Sequence, residues 1–366
     1  MTTPALDLHG DVVDLTRTLC DIESVSDNEG PLADAIETAL RAVPHLEVLR
    51  DGDAVMARTA LGRAERVVIA GHIDTVPLGR REDGSPNLPT WTVADDEDEL
   101  VYGRGTADMK SGVAVQLAVA VAVAEPSRDV TWVFYDHEEV EADRNGLGRL
   151  VRHHPDWLAA DFAVLCEPSS GGVEGGCNGT MRVELHVPGR AAHSARAWTG
   201  LNAVHEASHV LNRLVAYEPQ EVEVDGLVYR EGLNAVRISG GIAGNVVPDA
   251  CVVTVNYRFA PSKSVADAEA HLRELFSGYR LEVTDASGGA RPGLDHPAAA
   301  AFVDVIGKAP MPKYGWTDVA RFSAMGIPAV NFGPAVSELS HTDGEHVPAS
   351  AIRECERLLR TWLAGS

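Results

Sequence analysis

With 31 Lys and Arg against 54 Asp and Glu, the 366-residue chain carries a formal charge of −23. That balance argues against nucleic acid as a partner, because phosphate contacts need clustered cations that release counterions. Hydrophobic residues at 45% and charged residues at 23% exclude a disordered chain, and the length suggests two domains on a prior of about 150 residues each. The five cysteines (Cys20, Cys166, Cys177, Cys251, Cys355) are scattered, odd in number and free of CxxC pairs. They read as reduced thiols in the core of a cytoplasmic protein. The polar opening MTTPALDLHG reads as the approach to a helix rather than an apolar leader. The longest apolar run, Val113 to Ala124, contains Gln116 and is too short to span a bilayer, so no membrane partner is expected.

Apolar residues at helical spacing predict helices over Leu8 to Ile22 and Pro31 to Val43, separated by the turn-rich ESVSDNEG. Arg66 to His72 is a short, nearly continuous apolar run and predicts a buried strand. Gly79 to Asp98, polar and Pro-rich, predicts a surface loop, with the acidic run Asp95 to Glu99 solvated. A helix after Gly112, a strand over Val130 to Asp136, a helix with Leu147, Leu150 and Val151, and a strand over Phe162 to Pro168 follow. Such alternation implies parallel strands covered by helices on both faces.

Near Gly179 the pattern changes. Alternating strands in MRVELHVPG, AVRISGGIAGN, CVVTVNYRFAP and RLEVTDAS are interleaved with helices over Leu201 to Tyr217 and SVADAEAHLRELFSGY. The order β-α-β-β-α-β is that of a ferredoxin-like module. It ends in the Gly/Pro-rich SGGARPGLDHP, followed by a helix, a loop, a strand over Pro328 to Pro334 and a closing helix from Ala349. The expectation is therefore an α/β protein with a discontinuous outer domain, 1–178 and 292–366. Its mixed, mainly parallel sheet would be flanked by helices, with a ferredoxin-like domain inserted over 179–291.

Several outer-domain strands run straight into metal-capable residues: His72 and Asp74, then Glu138 and Glu139, then Glu167, then His341. Asp108 stands just before a helix in GRGTADMKSG. In an open parallel sheet, ligands bind beyond the carboxyl ends of the strands. Two imidazoles with several carboxylates suit a borderline divalent cation, zinc best among the common ones. The set exceeds one tetrahedral shell, which favours two metals sharing a carboxylate and leaves a spare carboxylate as general base. The neighbours Glu138 and Glu139 allow one base and one ligand. Asp74, two residues past His72 on extended chain, could hold the second imidazole nitrogen.

The ordered segments GHIDTVP, GRGTADMKSG, YDHEEVE, CEP and SHTDGEHV resemble the dinuclear-zinc family of aminoacylases, carboxypeptidases and desuccinylases. GRAAHSARAW and GGIAGNVVPDACVVTVNYR are similar to that family's lid module, so the resemblance covers essentially the whole chain. FYDHEEVEADRNGLG, YEPQEVEVDGLVYREGLNAVRISGG and PKYGWTDVARFSAMGIPAVNFGP look most like its actinobacterial succinyl-diaminopimelate desuccinylases. The resemblance implies two Zn2+ per chain, with Co2+ able to substitute. His72 and Glu167 would hold one, Glu139 and His341 the other, and Asp108 would bridge, with a cis bond to Met109. Glu138 would activate water and Asp74 would orient His72. His193 would be a lid histidine reaching the site of the other subunit in a homodimer formed through the lid domain. Asn245 and Arg258 match positions that grip substrate carboxylates, and Gly315, Thr317 and Arg321 fall where the family contacts substrate again.

The reaction so implied is hydrolysis of N-succinyl-LL-2,6-diaminopimelate to succinate and LL-2,6-diaminopimelate, in lysine and cell-wall synthesis. The metal and base motifs do not separate it from another N-acyl amino acid deacylase, of the acetylornithine deacetylase kind, or from an exopeptidase. A binding protein derived from such an enzyme would have lost a ligand or the base, and here neither is lost. The segment His205-Glu-Ala-Ser-His209 matches HExxH formally, but it lacks a third ligand and reads as a coincidence on a lid helix.

Overall fold

Four apolar runs become adjacent parallel strands in the computed structural model, which describes residues 4–95 and 98–365. Asp129–Tyr135, Arg66–His72, Phe162–Leu165 and Ala329–Asn331 lie side by side in that order. Their side chains are buried almost throughout, as expected of strands covered on both faces. Glu47–Asp51 and Ala54–Arg58 extend one side as an antiparallel hairpin that pairs with Asp129–Tyr135. This hairpin was not anticipated, although its two-residue loop contains Gly52 at a φ of 61°. The short strands Glu174–Gly175 and Met311–Pro312 complete a mixed, mainly parallel sheet of eight strands.

The helix Lys110–Ala122 is apolar all round and buried on every side, packed by Val12–Asp21 and Ala349–Ala364. Gly112 lets it approach the sheet: a Cβ there would stand 2.3 Å from the carbonyl oxygen of Cys166. All five cysteines are buried free thiols. The polar stretch 79–98 departs from expectation, because Trp91–Asp95 is a strand. It pairs with Asp98–Tyr102, which pairs in turn with His346–Pro348. Trp91 stacks on Tyr102, so aromatic packing outweighs the acidic, loop-like composition there. Asp96 and Glu97, in the middle of the acidic run, lie outside the described residues, as do Met1 to Thr3 of the polar opening.

Cα proximity divides the chain into two compact units. The unit just described comprises Met1–Gly175, Gly293–Met311 and Arg321–Ser366. The other comprises Gly176–Pro292 and Pro312–Ala320. Its antiparallel sheet runs Gly232–Gly240, Ala250–Phe259, Gly179–Pro188, Arg280–Ser287, the strand order of a ferredoxin-like module. Met181, Val183, Leu185, Val253, Val255 and Tyr257 form its core with Ala268 and Leu272 of the helix Val265–Leu275. The helix anticipated over Leu201 to Tyr217 is two pieces, Ala203–Glu206 and Ser208–Val215. A second unanticipated hairpin joins Glu221–Val224 to Leu227–Arg230 through Asp225 and Gly226, both at positive φ as a type I′ turn requires. Pro312–Ala320 groups with this unit through Asn178 N–H donating to Lys313 O (3.2 Å) and Trp316 Nε1–H to Gly288 O (3.0 Å). No helix among the described residues is long and apolar enough to cross a membrane.

Candidate active site

Register brings the chemistry of the first unit together. His72, the last residue of its strand, pairs with Tyr135, and Ala70 pairs with Leu165. The turns bearing Glu138–Glu139 and Glu167 therefore leave the same edge of the sheet as His72. Among the described residues, His72, Asp108 and Glu139 each offer a ligand atom, and these atoms lie within 4.8 Å of one another. His72 Nε2 stands 3.1 Å from Asp108 Oδ1, while His341 Nε2 stands 3.3 Å from Asp108 Oδ2 and 3.0 Å from Glu139 Oε1. Asp108 thus turns one oxygen to each histidine, as a bridging carboxylate must. Its bond to Met109 is cis. Glu167 is buried two residues beyond the end of its strand.

Asp74 faces the His72 ring and has a second set of partners besides. The imidazole nitrogen that its carboxylate was expected to hold lies 3.0 Å from Asp74's own backbone oxygen, and 3.6 Å from Oδ1. The carboxylate also accepts from the backbone N–H of Glu138 (2.9 Å), that of Glu139 (3.1 Å) and the Ser26 hydroxyl (2.8 Å). A fully buried carboxylate must find donors, and the loop carrying both glutamates supplies two. Spacing alone could not show this, because the nearest of the donors lies 48 residues away.

The electrostatics follow from packing carboxylates around imidazoles. The carboxylates of Asp108 and Glu139 push the His341 pKa up to about 10. Burial works to lower that of His72, but the neighbouring carboxylates, Asp108 first, outweigh it and hold it well above normal. Burial likewise opposes ionisation of Asp108, and the two histidines overcome it and keep its pKa low. The cluster therefore favours positive charge between its carboxylates, and a divalent cation would supply that charge with neutral imidazoles as ligands. The donor set of nitrogen and carboxylate oxygen fits zinc-like metals.

In the second unit, His193 is exposed, and its Nδ1 accepts from Ala195 N–H (3.1 Å). Asn245 lies beside it, since Ser194 N–H donates to Asn245 O (2.9 Å) and Val246 pairs with His193. Arg258 is half-buried on the strand Ala250–Phe259. Burial and the neighbouring Arg182 lower its pKa, and no carboxylate among the described residues pairs with it. Gly315 is exposed and Thr317 buried in the segment 312–320. Arg321 belongs to the first unit, where it donates to Ala142 O (3.3 Å). His209 reaches only Glu206, at 3.8 Å, and joins no cluster with metal-ligand spacing among the described residues.

Two residues of this site were not singled out from the sequence. Buried Glu345 accepts from the N–H groups of Ala107 (3.0 Å) and Asp108 (3.1 Å), and pairs with buried Arg104 at 2.5 Å. They lie in the quoted motifs SHTDGEHV and GRGTADMKSG, but 241 residues separate them, and nothing local shows that they meet.

The sequence pattern of peptidase family M20/M25/M40 matches residues 68–364. The DapE protein of Mycobacterium tuberculosis, provisionally named a succinyl-diaminopimelate desuccinylase, is 52% identical, the match covering 98% of this chain and 100% of that one. The succinyl-diaminopimelate desuccinylase of Corynebacterium glutamicum is 44% identical over 99% of this chain and 98% of its own. A tripeptidase from Staphylococcus aureus has the same fold, with a TM-score of 0.78 at 20% identity over 99% of both chains.

Proposed function

This chain belongs to peptidase family M20/M25/M40, and from that premise we propose that it is a metal-dependent hydrolase of N-succinyl-LL-2,6-diaminopimelate, releasing succinate and LL-2,6-diaminopimelate. The observation that carries the substrate is near-complete coverage at 52% and 44% identity by the two desuccinylase relatives. The same reading places the protein in the cytoplasm, in lysine and cell-wall synthesis.

Our assignment of the site gives His72 and Glu167 to one zinc, Glu139 and His341 to the other, and Asp108 to both. Zinc there would polarise the scissile amide carbonyl and make water a nucleophile near neutral pH. Glu138 is the proton carrier: it takes a proton from the attacking water and returns it to the leaving amine. Asp74 holds Glu138 in place by accepting the N–H of both glutamates. His193, supplied by the partner of a homodimer, donates to the oxyanion. Asn245, Arg258, Gly315, Thr317 and Arg321 bind the anionic substrate. Arg258 supports that role: among the described residues its side chain has no hydrogen bond or ion pair, Asp285 acting on it only at a distance, and such a guanidinium in a −23 protein offers local attraction for a carboxylate. The homodimer is supported by the sheet edge Gly232–Gly240, whose Val236 and Ile238 are 57% and 48% exposed.

The test is a substrate panel after chelation. N-succinyl-diaminopimelate, N-acetylornithine and simple dipeptides are offered to stripped protein and again after zinc or cobalt is restored. Hydrolysis of the first, returning only with metal at about two ions per chain, is expected. Cleavage of dipeptides alone would overturn the substrate assignment.

A further inference from the structure

We propose that the Arg104–Glu345 ion pair is a positioning device that sets Asp108 against His341 and thereby governs how tightly the site holds metal. The inference rests on the reading of the His72, Asp108, Glu139 and His341 cluster as a metal centre.

The pair is out of water, with side-chain exposures of 4% for Arg104 and 0% for Glu345. One oxygen of Glu345 accepts two consecutive backbone N–H groups, those of Ala107 and Asp108, so it grips the peptide that carries the bridging carboxylate. The other oxygen pairs with Arg104. Arg104 Nε–H donates to Pro77 O (3.1 Å), in the segment leaving His72 and Asp74. Its Nη1 stands 3.5 Å from the carbonyl oxygen of Thr342, the residue after His341. Gly103 N–H closes the ring on Glu345 O (3.0 Å). Three ligand-bearing segments, after His72, before Asp108 and after His341, therefore meet at one ion pair.

Packing at this junction leaves little room for adjustment. A Cβ at Gly79 would stand 2.7 Å from Asp343 and 3.2 Å from Arg104. Asp74 uses a similar device, one buried carboxylate gripping the consecutive N–H groups of Glu138 and Glu139. Metal–ligand distances tolerate only about ±0.2 Å, so a carboxylate that fixes Asp108's peptide acts on affinity without touching the ion. A buried ion pair by itself is weak evidence of stabilisation. Convergence on the ligand-bearing segments is what gives this one a role.

Glu345→Gln tests it. The amide keeps an acceptor for the two N–H groups but turns an NH2 toward Arg104, donor against donor. The readouts are Co2+ titration of metal-stripped protein by visible absorption, and thermal melting. The control is Asp129→Asn, which loosens a loop at the other end of the sheet. Glu345→Gln should bind Co2+ about 10- to 100-fold more weakly, with an altered spectrum, the usual cost of losing a residue that orients a ligand. Asp129→Asn should melt earlier and bind Co2+ as the wild type does. Arg104→Lys keeps the charge, loses the fork to Pro77 and Thr342, and should weaken binding several-fold. It carries the test if Glu345→Gln does not fold. Folded variants with wild-type Co2+ affinity and spectrum would overturn the proposal alone. A wild-type protein that takes up no Co2+ would overturn the metal reading and the proposal together.

Discussion

Glu138 and Glu139 are chain neighbours tethered by the same buried carboxylate, yet the proposed mechanism gives them opposite duties. Glu139 lies 3.0 Å from His341 and within ligand spacing of His72 and Asp108. Replacing it with Gln removes a ligand charge and should lower metal content, measured by elemental analysis after dialysis. Glu138→Gln should keep its metal and lose about a hundredfold to ten-thousandfold in kcat, the usual worth of a positioned base. Exchanged phenotypes would exchange the roles. Asp74 ionises readily although burial opposes it, because His72 and the N–H groups it accepts favour its charged form. Each oxygen of Asp74 accepts one of the two backbone N–H groups, so Asp74→Asn turns an NH2 toward one of these donors; kcat should fall while KM changes little, in steady-state assays with metal saturating.

At the scale of elements, the site depends on strands that end in register, and one of them is anchored far from it. Asp129, the first residue of its strand, accepts from Leu61 N–H (2.8 Å), Arg63 N–H (3.0 Å) and the Thr59 hydroxyl (3.0 Å). Burial opposes ionisation, but these donors prevail and hold its carboxyl below the usual carboxylate range. A group whose folded pKa is depressed contributes stability above its unfolded pKa and loses it as pH falls through the folded value. Asp129→Asn should therefore cost about 1.5–3 kcal/mol near pH 7, the range for hydrogen bonds to a charged group. The deficit should shrink below about pH 4. Denaturant melts of both proteins at pH 7 and pH 3.5 check this, and a deficit that is constant with pH would count against the charge.

For the molecule as a whole, the arrangement that matters is the proposed action of His193 in trans. His193→Ala should bind metal normally and turn over poorly, since one oxyanion donor is worth about 3–4 kcal/mol. His193→Ala and Glu138→Gln chains, each nearly inactive alone, are co-expressed with separable tags. In a mixed dimer, the site with intact Glu138 receives an intact His193 from its partner. Random pairing makes about half the dimers mixed, with one good site in two, so about a quarter of wild-type activity should return. A histidine acting within its own chain predicts no recovery, because every site would carry one defect. Purified mixed dimers as inactive as their parents would exclude the trans arrangement.

Where hydrophobic pattern is continuous or periodic, local sequence determined the outcome. The strand Arg66–His72 and the β-α-β-β-α-β order of the second unit could be read directly, because a buried strand must be apolar along its length and a half-buried one must alternate. The motifs likewise named His72, Asp108, Glu139 and His341, which the fold brings close together, because strand ends and their following loops are where an open sheet binds ligands. The hairpins at Gly52 and at Asp225–Gly226 are legible as turn dipeptides. Trp91–Asp95 was not legible, since an acidic, Pro-rich context hides a strand held by aromatic stacking. Partnership across the chain lay beyond the sequence altogether. Which donors Asp74 accepts, and that Arg104 meets Glu345 241 residues away, depend on where the fold leaves a buried charge without water. Spacing names residues that can do chemistry, but only the tertiary structure decides which of them must satisfy one another.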